Sequence, residues 1–169
     1  FKCSIAPSFK AKRISIRSRD AEYQVLEALK TNRRKRSQYN EIFIEGIESV
    51  KQALNSKFLR LRRIVFADYA SLSNWAKNIV DSNLFELCIE IKGDLYAELC
   101  DRSEPSELII TASPVAFDAD TITLPEKPFV LLFDRPSDFG NLGWIIRSAN
   151  AFGVDLVITH GHCVDHYEP

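Results

Sequence analysis

Between residues 41 and 112 short apolar runs alternate with stretches of helical spacing, and this alternation constrains the fold more than any other feature of the chain. EIFIE (41–45), LRRIVFA (61–67), LFELCIEI (84–91) and ELIITA (107–112) read as strands. Between them, 46–55 places Ile47, Val50 and Leu54 on one helical face. Residues 71–81 do the same with Leu72, Trp75, Ile79 and Val80, and 93–100 reads as a short helix. Upstream, Tyr23, Leu26 and Leu29 recur at helical spacing, so a helix is expected from Asp20 to about Thr31, with Asp20 as its N-cap. Strands alternating with helices predict an α/β sandwich whose sheet is largely parallel.

The stretch 113–128 holds three prolines and no clear period, so 114–128 is expected to be a linker. PFVLLFD then begins at Pro128 and has the form of a buried parallel strand. From Asn141, the positions Leu142, Ile145, Ile146, Ala149 and Phe152 follow helical spacing, and Gly153 sits where a helix-terminating glycine belongs. VDLVIT (154–159) completes a strand–helix–strand unit. Two strands and one helix cannot bury their own faces, so this second domain is expected to be incomplete at Pro169. The chain also contains no Met, which fits a piece of a longer protein.

Composition narrows the class. At 46% hydrophobic and a formal net charge of −1, wholesale disorder is excluded. No apolar run approaches the roughly 20 residues of a membrane-spanning helix. The charge is unevenly spread. Residues 1–36 carry eleven Lys/Arg against three acids, and the remainder carries eleven against twenty. A basic segment on an acidic body suggests an anionic partner, nucleic acid first among them, although a merely solvated tail has the same composition. Residues 1–19, with six Lys/Arg, four Ser and no acid, read as a basic arm or the remnant of an organellar targeting peptide. Cysteines at 3, 88, 100 and 163 show no CxxC pairing, so free thiols in a reducing compartment are expected.

The segment Asp134-Arg-Pro-Ser-Asp-Phe-Gly-Asn-Leu-Gly-Trp-Ile-Ile-Arg-Ser-Ala149 carries the chemistry. Gly140 and Gly143, three apart at a strand-to-helix turn, allow close backbone approach, and the helix start offers N–H groups to an anion. The spacing is neither a dinucleotide fingerprint nor a P-loop. Arg147, two turns into an apolar helix, either snorkels to water or points into a site, and spacing alone leaves both open.

The run FDRPSDFGNLGWIIRSANAFGVDLVITHGHCVDHYEP resembles the first motif of the SpoU (TrmH-like) RNA 2′-O-ribose methyltransferases, within the SPOUT superfamily. That motif reads approximately N-x-G-N-x-G-x-x-x-R-[ST]-A and lies here over 138–149. KTNRRKRSQYNEIFIEGIESVKQAL is similar to the family's N-terminal substrate-binding domain. The resemblance implies a ribosomal-protein-like α/β/α sandwich domain that binds RNA (20–113), then the first βαβ part of a trefoil-knot methyltransferase domain (129–169). It implies Arg147 and Asn141 as catalytic positions, with Gly140 and Gly143 as turn glycines. Asp138 stands where the family motif has Asn, and Trp144 is bulky for a position that is often small. Because Arg is effectively always protonated, the role open to Arg147 is stabilising a developing alkoxide and holding a phosphate rather than acting as a general base.

The resemblance further implies S-adenosylmethionine as cofactor, with its pocket expected beyond Pro169 and the 169-residue piece inactive by itself. It implies rRNA or tRNA as partner, and a homodimer for the full-length protein. A bacterial-type cytoplasm or, given the basic N-terminus, a plastid or mitochondrion would be the compartment. Arg33, Arg34, Lys35 and Arg36 are the expected RNA contacts, with Arg62 and Arg63 next. His160, His162, Cys163 and His166 match no zinc spacing, and no metal is expected. A non-catalytic RNA-binding module that keeps the fold is the competing reading.

Overall fold

The computed structural model describes residues 11–100, 105–116, 120 and 122–169. The chain divides into two compact units, one up to Val115 and one from Ala116 to Glu168.

The first unit is a five-stranded sheet carrying helices on both faces. Its strands are β1 (Lys12–Ile16), β2 (Ile42–Glu45), β3 (Leu59–Phe66), β4 (Leu87–Ile91) and β5 (Ile109–Pro114). They lie in the order β1-β4-β3-β5-β2. The helices are α1 (Ala21–Thr31), α2 (Arg33–Tyr39), α3 (Ile47–Asn55), α4 (Asn74–Val80) and α5 (Gly93–Leu99). Strand alternation sorts neighbouring residues to opposite faces. Val65, Ile89 and Ile109 pack with Tyr23, Leu26 and Leu29 of α1 and with Tyr96 and Leu99 of α5. Ile64, Cys88 and Ile110 pack with Val50 of α3 and with Ala76 and Ile79 of α4.

At four places the structure differs from, or adds to, what the sequence leads one to expect. The sheet is mixed, because β5 runs antiparallel to both β3 and β2 while β4 is parallel to β1 and β3. The supposed basic arm contributes an edge strand: Ile14 and Ile16 of β1 pair with Ile89 and Ile91, and Ile16 is buried. Residues 1–10 of that arm lie outside the described residues. The cluster at 33–36 belongs to a helix of its own. Asn32 ends α1 with its N–H on the Ala28 carbonyl at 2.9 Å and starts α2 by accepting the Lys35 N–H at 3.2 Å. Finally, β5 extends to Pro114, inside the expected linker.

Asp20 caps α1 as expected, accepting the Tyr23 N–H at 2.9 Å. The core also holds charge. Glu41 is 3% exposed, forms an ion pair with Arg63, and accepts the Thr111 hydroxyl. Glu22 reaches Arg63 from the other side at 3.4 Å. Burial disfavours the charged guanidinium, but Glu41 and Glu22 outweigh it and hold the Arg63 pKa above its ordinary value. Arg63 is therefore committed to the interior, contrary to its expected place among the RNA contacts.

The second unit pairs β6 (Val130–Asp134) with β7 (Leu156–His160) in parallel, joined through α6 (Phe139–Ala151). Leu142 and Ala149 of α6 are buried.

Candidate active site on the β6–α6 turn

β6 ends at a sharp turn. Arg135 adopts a left-handed backbone (φ 47°), and its N–H donates to the His160 carbonyl at 2.8 Å, tying the turn to the end of β7. Asp134 accepts from Arg135 Nε at 2.9 Å and lies 3.2 Å from His160 Nδ1. The Arg135 hydrogen bond first, and His160 second, hold the Asp134 carboxyl below the usual carboxylate range. Gly161 (φ +76°) is required here, because a Cβ would lie 2.6 Å from Arg135 Cγ.

Asp138 then caps α6. Its Oδ1 accepts the Asn141 N–H at 2.7 Å, which gives a physical reason for Asp where the family motif has Asn, since both cap well. An anion is also favoured at a helix N-terminus. The Asn141 N–H, expected to await an external anion, is instead taken up by this carboxylate. Gly140 sits close against the cap, because a Cβ there would stand 3.1 Å from Asp138 Oδ1 and the cap would have to give by a few tenths of an ångström. A Cβ on Gly143 would meet only Arg147 Nη2, at an ordinary 3.7 Å. Local packing therefore does not demand the second glycine.

Gly140 lies three and four residues before Gly143 and Trp144, and Arg147 lies four and three residues after them, so all four share one stripe along α6. Trp144 is 66% exposed. The Arg147 guanidinium carbon sits 4.8 Å from the centre of its indole ring. Arg147 is thus at the surface, as snorkelling would have it, but it is held there by a cation–π contact. Asn141 is exposed on the first turn of the same helix. Trp144 is the residue that sequence reasoning leaves unexplained, and its i, i+3 spacing from Arg147 is the available signal.

The histidines at the end of β7 are engaged locally. His160 faces Asp134, and His166 Nε2 lies 3.0 Å from the Thr159 hydroxyl. Among the described residues no group of three or more His, Cys, Asp or Glu could hold a metal ion.

In the first unit, the structure disperses the expected basic cluster. Arg33 and Arg34 are exposed and Lys35 half-buried, but Arg36 is 3% exposed. Its Nη1 donates to the Leu29 and Lys30 carbonyls, both at 2.9 Å. It satisfies the carbonyl end of α1, where a cation is favoured, and cannot serve as an RNA contact in this fold. Arg62 is paired with Glu86 at 2.6 Å. No described helix is long and apolar enough to cross a membrane.

Residues 20–110 match the SpoU L30e-like domain. The chain belongs to the SpoU (TrmH-like) RNA methyltransferase family. It is 35% identical over 155 residues to the 23S rRNA (uridine(2479)-2'-O)-methyltransferase of Streptomyces viridochromogenes, covering 91% of this chain and 53% of that protein. Its fold is similar to the crystal structure of the SpoU methyltransferase AviRb from the same organism in complex with the cofactor AdoMet. That likeness has a TM-score of 0.79 and 34% identity, and covers 89% of this chain and 57% of the other. An AdoMet-bound rRNA methyltransferase from Sinorhizobium meliloti shares the fold at a TM-score of 0.76 and 21% identity, covering 92% of this chain and 57% of the other. The chain thus spans little more than half the length of these relatives.

Proposed function

We propose that the full-length protein transfers a methyl group from S-adenosylmethionine to a ribose 2′-hydroxyl of ribosomal RNA. Residues 20–113 would hold the RNA and the unit from residue 129 would bear the reaction site. The observation that carries the reading is Arg147 stacked on Trp144 along the same α6 stripe as Gly140 and Gly143, with Asn141 on the first turn.

These residues fit the acceptor side of such a reaction. A guanidinium that keeps its proton presents fixed N–H donors to an oxygen gaining negative charge and to a neighbouring phosphate. Stacking on the indole limits its rotamers, so less ordering is needed when RNA arrives. Gly143 leaves the helix surface beside Arg147 open to close approach. When bound, S-adenosylmethionine supplies an electrophilic methyl group. Its binding residues are not assigned to any position here. The full-length protein is taken to be a homodimer by resemblance to the family.

The test incubates the full-length protein with methyl-labelled S-adenosylmethionine and ribosomal RNA, followed by nuclease digestion. Label on a ribose 2′-oxygen is expected. Label on a base, or none on RNA, overturns the assignment.

A further inference from the structure

Most surface arginines of the first unit are already matched to carboxylates. Arg13 pairs with Asp81 at 2.9 Å, Arg17 with Glu90 at 3.9 Å, and Arg19 with Glu98 at 2.6 Å. Arg60 and Arg62 share Glu86 at 2.7 and 2.6 Å. The positive charge of the described N-terminal segment is therefore neutralised largely by its own acidic body.

Arg34, Lys35 and Lys57 differ. Among the described residues, no carboxylate lies within ion-pair range of any of them. Two of the three stand over aromatic rings instead. Lys35 Nζ is 5.9 Å from the centre of the Tyr39 ring, and Lys57 Nζ is 5.2 Å from that of Phe58. Both rings are open to solvent, at 42% exposure for Tyr39 and 57% for Phe58. The segments that carry the two pairs are tied to the same end of β5. Asn40, next to Tyr39, donates to the Pro114 carbonyl at 3.4 Å, and the following Val115 N–H donates to the Phe58 carbonyl at 2.9 Å. They meet where β2 and β3 begin and β5 ends, and the segments 33–40 and 55–60 contain no acid.

We propose that this end of the first unit is a platform for single-stranded RNA: Tyr39 and Phe58 stack unpaired bases while Arg34, Lys35 and Lys57 contact the adjacent phosphates. The proposal rests on the RNA-directed function above and assigns it a surface. Exposed rings flanked by cations without acidic partners match what a flexible strand offers, base faces alternating with phosphates. A duplex offers phosphates but keeps its base faces stacked inside, so it would use the cations and not the rings.

The experiment measures binding of the full-length protein to a labelled 12-nucleotide oligouridine and to an RNA hairpin by anisotropy across a salt series. Thermal melts of each variant confirm folding. Tyr39→Leu with Phe58→Leu should weaken oligouridine binding by about ten-fold or more with an unchanged salt slope. Tyr39→Phe with Phe58→Tyr should restore it. Replacing Arg34, Lys35 and Lys57 by Gln should flatten the slope by about 2, at roughly 0.7 for each phosphate that is no longer neutralised. Wild-type affinity in the Leu pair overturns the platform while leaving the methyltransferase reading intact, and so does equal loss of hairpin binding. A wild-type protein that binds no single strand and methylates no RNA overturns both.

Discussion

In the first unit, Ile64, Val65, Ile109 and Ile110 are wholly buried, with helices on both sides of their sheet. In the second, the strand residues Leu132 and Ile158 lie exposed, and Leu142 and Ala149 of α6 are the buried hydrophobics among its described residues. The first unit internalises even charged groups, Arg36 and Glu41, and satisfies each one. The second is shaped by local devices: the Asp138 cap, the left-handed Arg135 turn and Gly161. Within the described residues, burial of apolar surface maintains the first unit, while turn and cap geometry presents Arg147 in the second, whose strand side chains stand open in a chain that spans about half the length of its relatives.

The largest expected effect breaks the first kind. Glu41→Ala strips the half-buried Arg63 of its principal partner and Thr111 of its acceptor, and should cost about 3–5 kcal/mol in urea denaturation. Next, Ile109→Ala should cost about 2–4 kcal/mol by the cavity it leaves. Its counterpart Leu132→Ala, exposed in this 169-residue chain, should stay within about 0.5 kcal/mol when the same 169 residues are tested. Equal losses at the two positions would erase the contrast. Smaller than the Ile109 loss, Arg36→Gln removes hydrogen bonds to two helix-terminal carbonyls and should cost about 1–2 kcal/mol. It should leave the salt slope of RNA binding where it was. A flattened slope would return Arg36 to the RNA surface.

A further effect is a pH dependence. Burial pushes the Cys100 thiol up to about 11 from an ordinary 9.0, with Glu45 adding to it. Burial likewise pushes the Tyr23 phenol up to about 12 from 10.0, helped by its hydrogen bond to Glu98. The unfolded chain releases these protons first, so their contribution is complete below pH 9.0 and declines as pH rises through the folded values. The Asp134 turn has the opposite sign: its carboxyl is depressed from 3.8, so its contribution holds above that value and fades in acid. Denaturation midpoints of the first unit should therefore fall on the alkaline side, and His160 chemical shifts in the second should report loosening on the acid side.

Where the sequence carries a periodic apolar signal, the elements are legible, as at α1 with its Asp20 cap and along β6, α6 and β7. What escapes has a non-local or non-apolar cause. RRKRSQY forms α2 without an apolar stripe, because Asn32 caps it and Arg36 docks on carbonyls of the preceding helix. The Ile14 and Ile16 alternation of β1 is hidden among charges whose partners lie far along the chain. The direction of β5 is absent from its own residues, since period-2 patterning does not distinguish parallel from antiparallel pairing. The turn residues of the candidate site are readable as a motif. Their physical reasons, the Asp138 cap beside Gly140 and the Trp144 ring under Arg147, are set by the folded turn and helix.

We propose that Arg147, displayed on α6, serves the reaction more than the fold or the capture of RNA. The direct measurement is single-turnover methyl transfer by full-length Arg147→Ala, with RNA affinity determined on the same preparation. A rate lower by about 100-fold or more, at an RNA affinity within a few-fold of wild type, is the predicted result. A near-wild-type rate, or a loss explained entirely by weaker RNA binding, would contradict it.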